Sequence, residues 1–413
     1  MKSLNTTLEA HRRERDLALR RTIVPRELGS SLSKALSSNL VKVITGPRRA
    51  GKSTLAFQAL VGKSFAYLNF EDDALRGEIS SDELVEALEA VYGKTDFLFF
   101  DEIQNYPHWE SFINKLHRRE HNLVITGSNS RLLSRELGSA LTGRHLSFEL
   151  LPFSYREFLL DRGMAKKDDS ESFQQYLTWG GFPEVVLGAT DPASYLRTLF
   201  DSVVLRDIVT RHRIRASTAI HDLLNLLMNN AANRFSGRSL ERSLGTLSTA
   251  TIQKFIAYCR EAYLVQDLQP YFFKPRVRMK ADRKIYTFDN GFISAKSQPV
   301  SSNDSRLLEN MVFVELVRRG FKPNMDLFYY QTGSGTEVDF LLRRSSKNLE
   351  LLQVTQNLSS LKAREREIRA LRQGAEELKL NKLTVVTLDT EEIIREAGLE
   401  ISVVSCRKWL MTG

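Results

Sequence analysis

The spacing of apolar and polar positions changes several times along the chain. Short apolar runs at 40–45, 65–70, 97–100, 123–126 and 146–150 are too continuous for half-exposed strands and too short for helices. They predict buried strands of a parallel sheet. Helical spacing fills the gaps at 52–61, 80–92, 109–119 and 130–141, so 39–150 reads as alternating strand and helix in an α/β layer. Gly180-Gly181-Phe182-Pro183 forces a turn between helices, after a small, charged loop at 163–172. Beyond 216 the pattern becomes three short helices (218–230, 238–244, 249–263), then strand-like runs at 263–273 and 284–288. That order predicts a winged helix-turn-helix. A polar linker at 295–305 leads into a last α/β unit: a helix, the hairpin FYYQTGSGTEVDFLLRR, the strand LELLQVT, a highly charged helix and the strand LTVVTLD.

The first run leads directly into Gly46-Pro47-Arg48-Arg49-Ala50-Gly51-Lys52-Ser53-Thr54. This is G-x-x-x-x-G-K-[ST] between a strand and a helix, the context that makes it a phosphate-binding loop. Gly46 and Gly51 let the backbone turn its N–H groups toward a polyphosphate, and the helix start adds its positive dipole end. Lys52 is expected at the β- and γ-phosphates of ATP, and Ser53 at Mg²⁺. The third run ends FLFFDEIQ. A buried strand there carries Asp101 to its edge as a Mg²⁺ ligand, with Glu102 beside it to polarise water. The fourth run ends in Ser128 and Asn129, either of which suits sensing the γ-phosphate. A strand inserted between the P-loop strand and the FLFFDE strand is the mark of the additional-strand NTPases. Arg144, after a helix and before the fifth strand, suits a trans contact with a neighbour's γ-phosphate. It equally suits a cis role or a local carboxylate pair.

Taken together, GPRRAGKST, Asn69-Phe70-Glu71-Asp72, FFDEIQ, TGSNS-RLLSREL, LTGRHLSFELLPFSYREFL and WGGFPEVV resemble the archaeal-type AAA+ ATPases. The resemblance runs from about residue 36 through nearly the whole chain. It implies an additional-strand P-loop core, a helical lid, a winged-helix region and a restriction-endonuclease-like C-terminal fold. The expected partition is a basic N-terminal helical segment (1–38), the ATPase core (39–160), the lid (161–215), the winged helix (216–294) and the nuclease-like α/β domain (306–413).

The last region is similar to PD-(D/E)xK nucleases, with Asp339 as the first acid and Glu309 as the helix acid. Its third motif reads Gln353-Val354-Thr355. Gln is a poorer metal ligand than a carboxylate and Thr cannot supply a lysine's charge, so a fold without cleavage is expected.

Charge changes the picture at one place more than in total. The chain carries 59 basic and 50 acidic residues, net +9, a weak pointer to a polyanionic partner. The hairpin tip KPRVRMKADRK is sharper: Lys274, Arg276, Arg278, Lys280, Arg283 and Lys284 stand against Asp282 alone. With Lys254 on the preceding helix they suit DNA phosphates, the alternatives being a solvated hairpin or a contact between ring subunits. Arg206, Arg211 and Arg213 in the lid, and His11, Arg12, Arg13, Arg15, Arg20 and Arg21 near the start, are read either as phosphate contacts or as polar helix faces.

Two cysteines, Cys259 and Cys406, offer no disulfide framework or Cys-based zinc site. No signal-peptide core or membrane-length apolar run is present, so a cytoplasmic protein is expected, with no membrane partner. His117-Arg118-Arg119-Glu120-His121 matches H-x-x-E-H, but it ends a charged helix and is read as such rather than as zinc-binding. The expected function is an ATPase, working as a ring such as a hexamer, that remodels or moves along duplex or branched DNA. The alternative is a STAND-like or defence switch that binds ATP and recognises a protein or regulatory DNA.

Overall fold

The computed structural model of the protein describes residues 4–21, 23–75, 79–129, 141, 143–160, 169–188, 191–272, 281–297, 303–345, 348–396 and 398–412. Two compact units emerge: Met1–Phe153 with Glu261–Tyr263, and Ser154–Arg260 with Leu264–Gly413.

The first unit is built on five parallel strands: β1 (Val41–Thr45), β2 (Phe65–Asn69), β3 (Phe97–Asp101), β4 (Asn122–Gly127) and β5 (His145–Glu149). Their order is β2-β3-β4-β1-β5, so β4 does lie between the P-loop strand and the strand that ends in Asp101. All five expected strands are found within a residue or so. Period-2 alternation sends side chains to both faces. Val43, Leu68, Phe100 and Ile125 pack on one side; Ile44, Tyr67, Phe99 and Val124 pack on the other. Both faces are covered, which is why the runs read as continuously apolar. The helix expected at 130–141 falls almost wholly outside the described residues.

The helix Leu4–Leu19 belongs to this unit. His11 is buried and 3.2 Å from Asp72, Arg12 donates to the Val91 carbonyl at 3.0 Å, and Arg15 donates to the Phe65 carbonyl at 2.6 Å. These groups are taken up in packing on the sheet layer, the second of the two readings given to them.

The second unit begins with short helices, among them Ser170–Trp179 and Pro183–Val186. Gly180 between them has φ +72°, and a Cβ there would lie 1.9 Å from an Asp289 carboxylate oxygen. Only glycine fits, which explains the WGGFP signal. The helix Pro192–Val203 continues into a wide-turn π segment, Val204–Thr210, where Arg211 is engaged by Asp207 at 3.4 Å.

Helices Ser217–Asn229, Gly237–Leu244 and Thr249–Glu261 follow, with a small antiparallel sheet. Its strands are β6 (Arg234–Phe235), β7 (Gln266–Leu268) and β8 (Arg283–Tyr286), in the order β6-β8-β7. The three helices and the β7–β8 pair were expected; β6, two residues long, gives no sequence signal.

The helix Asn303–Arg318 starts inside the expected linker. It precedes a six-stranded mixed sheet of β9 (Leu327–Gln331), β10 (Glu337–Ser345), β11 (Asn348–Val354), β12 (Leu383–Thr387), β13 (Glu392–Glu396) and β14 (Leu399–Ser405). The order is β13-β14-β12-β11-β10-β9. The helix Leu361–Leu378 joins the parallel pair β11 and β12, as a parallel connection requires. The GSGT stretch is the β9–β10 turn, closed by Thr332 N–H to the Thr336 carbonyl at 2.9 Å. Strands β13 and β14 and the terminal helix Cys406–Met411 were not foreseen.

Candidate nucleotide site

The loop after β1 has the backbone that its glycines require. Gly46 has φ +146°, and a Cβ there would come within 1.9 Å of the Leu150 carbonyl oxygen. Gly51, at φ +93°, caps the helix Lys52–Leu60, so its free N–H groups face the loop. Arg49 is also left-handed, at φ 66°. Arg26 props the loop from beneath. It is buried and donates to the Ala50 carbonyl at 2.8 Å and the Leu151 carbonyl at 2.7 Å. Its distance along the chain hides this role from a sequence reading.

Lys52 is 4% exposed. Its ammonium donates to the Pro47 carbonyl at 3.1 Å and lies 3.5 Å from Glu102 Oε1. The Ser53 hydroxyl donates to Asp101 Oδ1 at 2.9 Å; Thr126 donates to the same oxygen, and Tyr67 to Oδ2 at 3.3 Å. A hydroxyl and a carboxylate side by side at a strand end are an oxygen-donor set that fits Mg²⁺. Burial, reinforced by the neighbouring Glu102 carboxylate, raises the Asp101 pKa.

Glu102 has φ 49°, a left-handed conformation uncommon for any residue with a Cβ. Its N–H donates to Thr126 Oγ1 at 3.0 Å. That bond and the fixed turn aim the carboxylate toward Lys52. Burial pushes its pKa up, but the Lys52 ammonium, with Gln104, Arg48 and Ser128, outweighs burial and holds it low. Ser128 acts here through its main chain, donating N–H to Glu102 Oε2 at 3.2 Å. Asn129 is buried at the same strand end. Arg48 pairs with Glu71 at 2.5 Å, which gives the Asn69-Phe70-Glu71-Asp72 motif a contact with the loop. Thr126, Tyr67 and Gln104 were missed; only Thr126, a polar residue near the end of an otherwise apolar strand, offered a signal.

Arg144 lies at the opposite edge of the sheet. Its carbonyl accepts from Val41 N–H at 3.0 Å, at the first residue of β1, whereas the phosphate loop follows the end of β1. Five residues of strand separate them, roughly 16 Å. Its side chain has no hydrogen bond or ion pair among the described residues. A cis contact with its own nucleotide does not fit this position, and the exposed Glu120 lines the same cavity.

The second unit corrects one assignment and half of another. Lys284 is not an exposed DNA contact. It is 2% exposed, and its ammonium sits 2.8 Å from Glu309, 2.7 Å from Glu337 and 2.8 Å from Asp339. Burial would lower its pKa, but those carboxylates outweigh burial and raise it well above the usual value. Arg283 is engaged by the fully buried Asp267 at 2.8 Å, which also pairs with Arg260 at 2.9 Å. A phosphate could approach Arg283 only in competition with that pair. Lys254 remains exposed, 5.8 Å over the Tyr258 ring. Lys274, Arg276, Arg278 and Lys280 lie outside the described residues.

Glu309 and Asp339 do come together, joined by the Lys284 ammonium, and the Tyr286 hydroxyl also donates to Glu309 at 2.7 Å. Gln353 lies beside them, accepting from Asp339 N–H at 3.2 Å and donating to Glu367 at 2.7 Å. Thr355 turns to the Asn357 carbonyl instead. No helix among the described residues is long and apolar enough to cross a membrane.

Residues 38–159 match the family described as an AAA domain. Residues 170–303 and 305–409 match two domains of unknown function, DUF8612 and DUF4143. The uncharacterized protein MJ1544 of Methanocaldococcus jannaschii is 35% identical over 404 residues, 91% of this chain and 89% of that protein. An uncharacterized protein of Haemophilus influenzae is 30% identical over 337 residues, 76% of this chain and 82% of that protein. Among solved structures, the Walker-type ATPase PABY2304 of Pyrococcus abyssi aligns with a TM-score of 0.47 at 15% identity, over 67% of this chain and 96% of that one.

Proposed function

This chain belongs to an AAA+ ATPase family, the one that includes MJ1544, and from that premise we propose Mg²⁺-dependent hydrolysis of ATP coupled to work on DNA. The observation that carries the reading is the four-residue cluster Lys52, Ser53, Asp101 and Glu102. Mg²⁺ held by Ser53 and Asp101 would neutralise charge on the β- and γ-phosphates. Lys52 is parked 3.5 Å from Glu102 and has to exchange that carboxylate for a phosphate. The exchange removes the main charge that keeps Glu102 weakly basic. Glu102 thus becomes a better acceptor for a water proton when the triphosphate is in place. Ser128 N–H keeps the carboxylate aimed, and Asn129 is suited to report the γ-phosphate.

Arg144 is assigned to a neighbouring subunit's nucleotide, which makes turnover depend on a homo-oligomer such as a hexameric ring. DNA is the partner suggested by the basic connector between β7 and β8 and by exposed Lys254. The C-terminal domain is read as a nuclease-like fold that does not cut, because an internal ammonium already neutralises its acids.

The test is the ATPase rate of wild type, Lys52→Ala and Glu102→Gln, each with single-stranded, duplex and four-way-junction DNA and with none. Hydrolysis that either substitution abolishes and DNA stimulates is expected. Wild-type turnover in either variant overturns the site. DNA-independent turnover overturns the coupling and favours the signalling-switch reading.

A further inference from the structure

Glu102 does not stand alone at the end of β3. The short turn Ile103–Asn105 follows it, closed by Asn105 N–H donating to the Glu102 carbonyl at 3.1 Å. That turn brings the Gln104 side chain back onto the Glu102 carboxylate. The Gln104 amide nitrogen donates to Glu102 Oε2 at 2.5 Å and lies 3.4 Å from Ser128 Oγ. Ser128 N–H reaches the same Oε2 at 3.2 Å. The other oxygen, Oε1, faces the Lys52 ammonium at 3.5 Å. The two oxygens of one carboxylate are therefore in different states. Oε2 is held by two donors; Oε1 is released once Lys52 turns to a phosphate.

The amide can point only one way. Reversed, its carbonyl would meet the carboxylate with no proton between them. The Gln104 carbonyl oxygen is thus at the far end of the amide, where it is buried and has no hydrogen-bond partner among the described residues. A buried acceptor left unsatisfied is costly, and it marks a place where a partner is missing at rest.

We propose that Gln104 is a catalytic residue of ATP hydrolysis: it anchors Glu102 by Oε2, and its own carbonyl accepts a hydrogen bond from the attacking water. The inference rests on the hydrolytic role given to Glu102 and names the group that shares the water with it. One O–H bond of the water breaks, its proton passing to Glu102 Oε1; the other hydrogen stays on the oxygen and bonds to the Gln104 carbonyl. As the water oxygen bonds to the γ-phosphorus, the bond from phosphorus to the bridging oxygen breaks and leaves its electron pair on ADP. Glu102 then gives its proton to the departing phosphate. A water gripped at two points presents a lone pair to the phosphorus, which a base alone does not ensure.

Gln104→Met keeps the length of the side chain and removes both polar ends. In the full chain, ATP affinity measured by calorimetry in EDTA should stay within about threefold of wild type, while the single-turnover rate with Mg²⁺ falls about 10²-fold. Gln104→Asn, one methylene too short to serve both ends, should show the same split and stands in if the first variant does not fold. Added to Glu102→Gln, Gln104→Met should cost less than about threefold more, because two groups acting on one water behave as a unit. A wild-type rate in either Gln104 variant overturns the proposal. So does an ATP affinity that falls in step with the rate, which would make Gln104 a structural prop, or a second full loss on top of Glu102→Gln. Absence of hydrolysis in the wild type strikes the proposed function itself; hydrolysis that Gln104→Met leaves unaltered strikes this inference alone.

Discussion

Each unit buries a lysine among carboxylates at strand ends, and the two differ in what the lysine can do next. Lys52 stands on a glycine-rich loop, 3.5 Å from Glu102 and 3.1 Å from a carbonyl. The carboxylate contact is long, and among the described residues only one other acceptor holds the ammonium. Lys284 stands on β8, within 2.8 Å of three acids supplied by a helix and β10. No rotation improves on that. A cation on a loop is a partner on loan, waiting for phosphate; a cation on a strand surrounded by acids is a permanent counter-ion. Similar residue types thus yield a candidate catalytic site in one place and a structural cross-link in the other.

The harshest challenge to this contrast is Lys284→Met. If the ammonium is permanent, its loss leaves Glu309 and Asp339 buried without their cation, while Glu337 keeps Arg234 at 3.2 Å, at a cost of about 3–5 kcal/mol. The second unit should unfold several degrees earlier or fail to fold, while ATP binding by any folded fraction persists. A variant with unchanged thermal stability would show that the acids tolerate solvent, and the distinction would fail. On the other side, Glu102→Gln should lower the hydrolysis rate by about 10²- to 10⁴-fold, the usual contribution of a positioned base. Its stability should stay within about 1 kcal/mol of wild type, because Lys52 retains the Pro47 carbonyl. A large stability loss there would make Lys52 a structural counter-ion as well.

Asp289 provides the case between them, a buried acid held by backbone. Burial pushes its pKa up to about 7, against the opposing pull of the Gly181 and Gly291 N–H groups, each of which donates at 2.8 Å. A folded pKa above the unfolded one means that the native state holds the proton more tightly. The stability this group contributes is complete below about pH 4 and is lost as pH rises to about 7, by up to roughly 4 kcal/mol. Asp289→Asn should flatten that portion of the Tm–pH curve between pH 4 and 7. An unaltered slope would mean that the carboxylate is solvated, and the glycine turn at Gly180 would need another reason to exclude a side chain.

How much of this was readable in advance depended on whether a residue's neighbours along the chain were also its neighbours in space. Gly46 to Thr54, Asp101 and Glu102 lie at strand ends marked by unbroken apolar runs, so motif and position agreed. The insertion of β4 between β1 and β3 followed from the family pattern. Lys284 misled because it sits in a basic run and its meaning lies on the far side of the strand. It shares a face with Tyr286, two residues on, and both side chains reach Glu309. Period 2 puts these two on one face, but only the fold supplies the acids. The edge strand β13 stayed hidden because Glu392, Arg395 and Glu396 interrupt its alternation, as charges on an edge strand do. Arg26 was invisible for want of any local pattern.

The mildest test concerns Arg48, the other cation of the phosphate loop. It pairs with Glu71 at 2.5 Å, in a setting where the Glu71 side chain is 37% exposed. A pair so accessible is worth about 0–1 kcal/mol. If the loop's cations are all on loan, Glu71 competes with ATP for Arg48, and Glu71→Gln removes the competitor. The dissociation constant for ATP should then fall by a few-fold at most, since 1 kcal/mol corresponds to about fivefold. Raising ionic strength should narrow the difference, because a solvent-exposed pair is screened. Weaker ATP binding in Glu71→Gln would instead mean that Glu71 holds Arg48 where the phosphate needs it. The pair would then be fixed in the manner of Lys284, and the division between borrowed and permanent counter-ions would run through the loop itself.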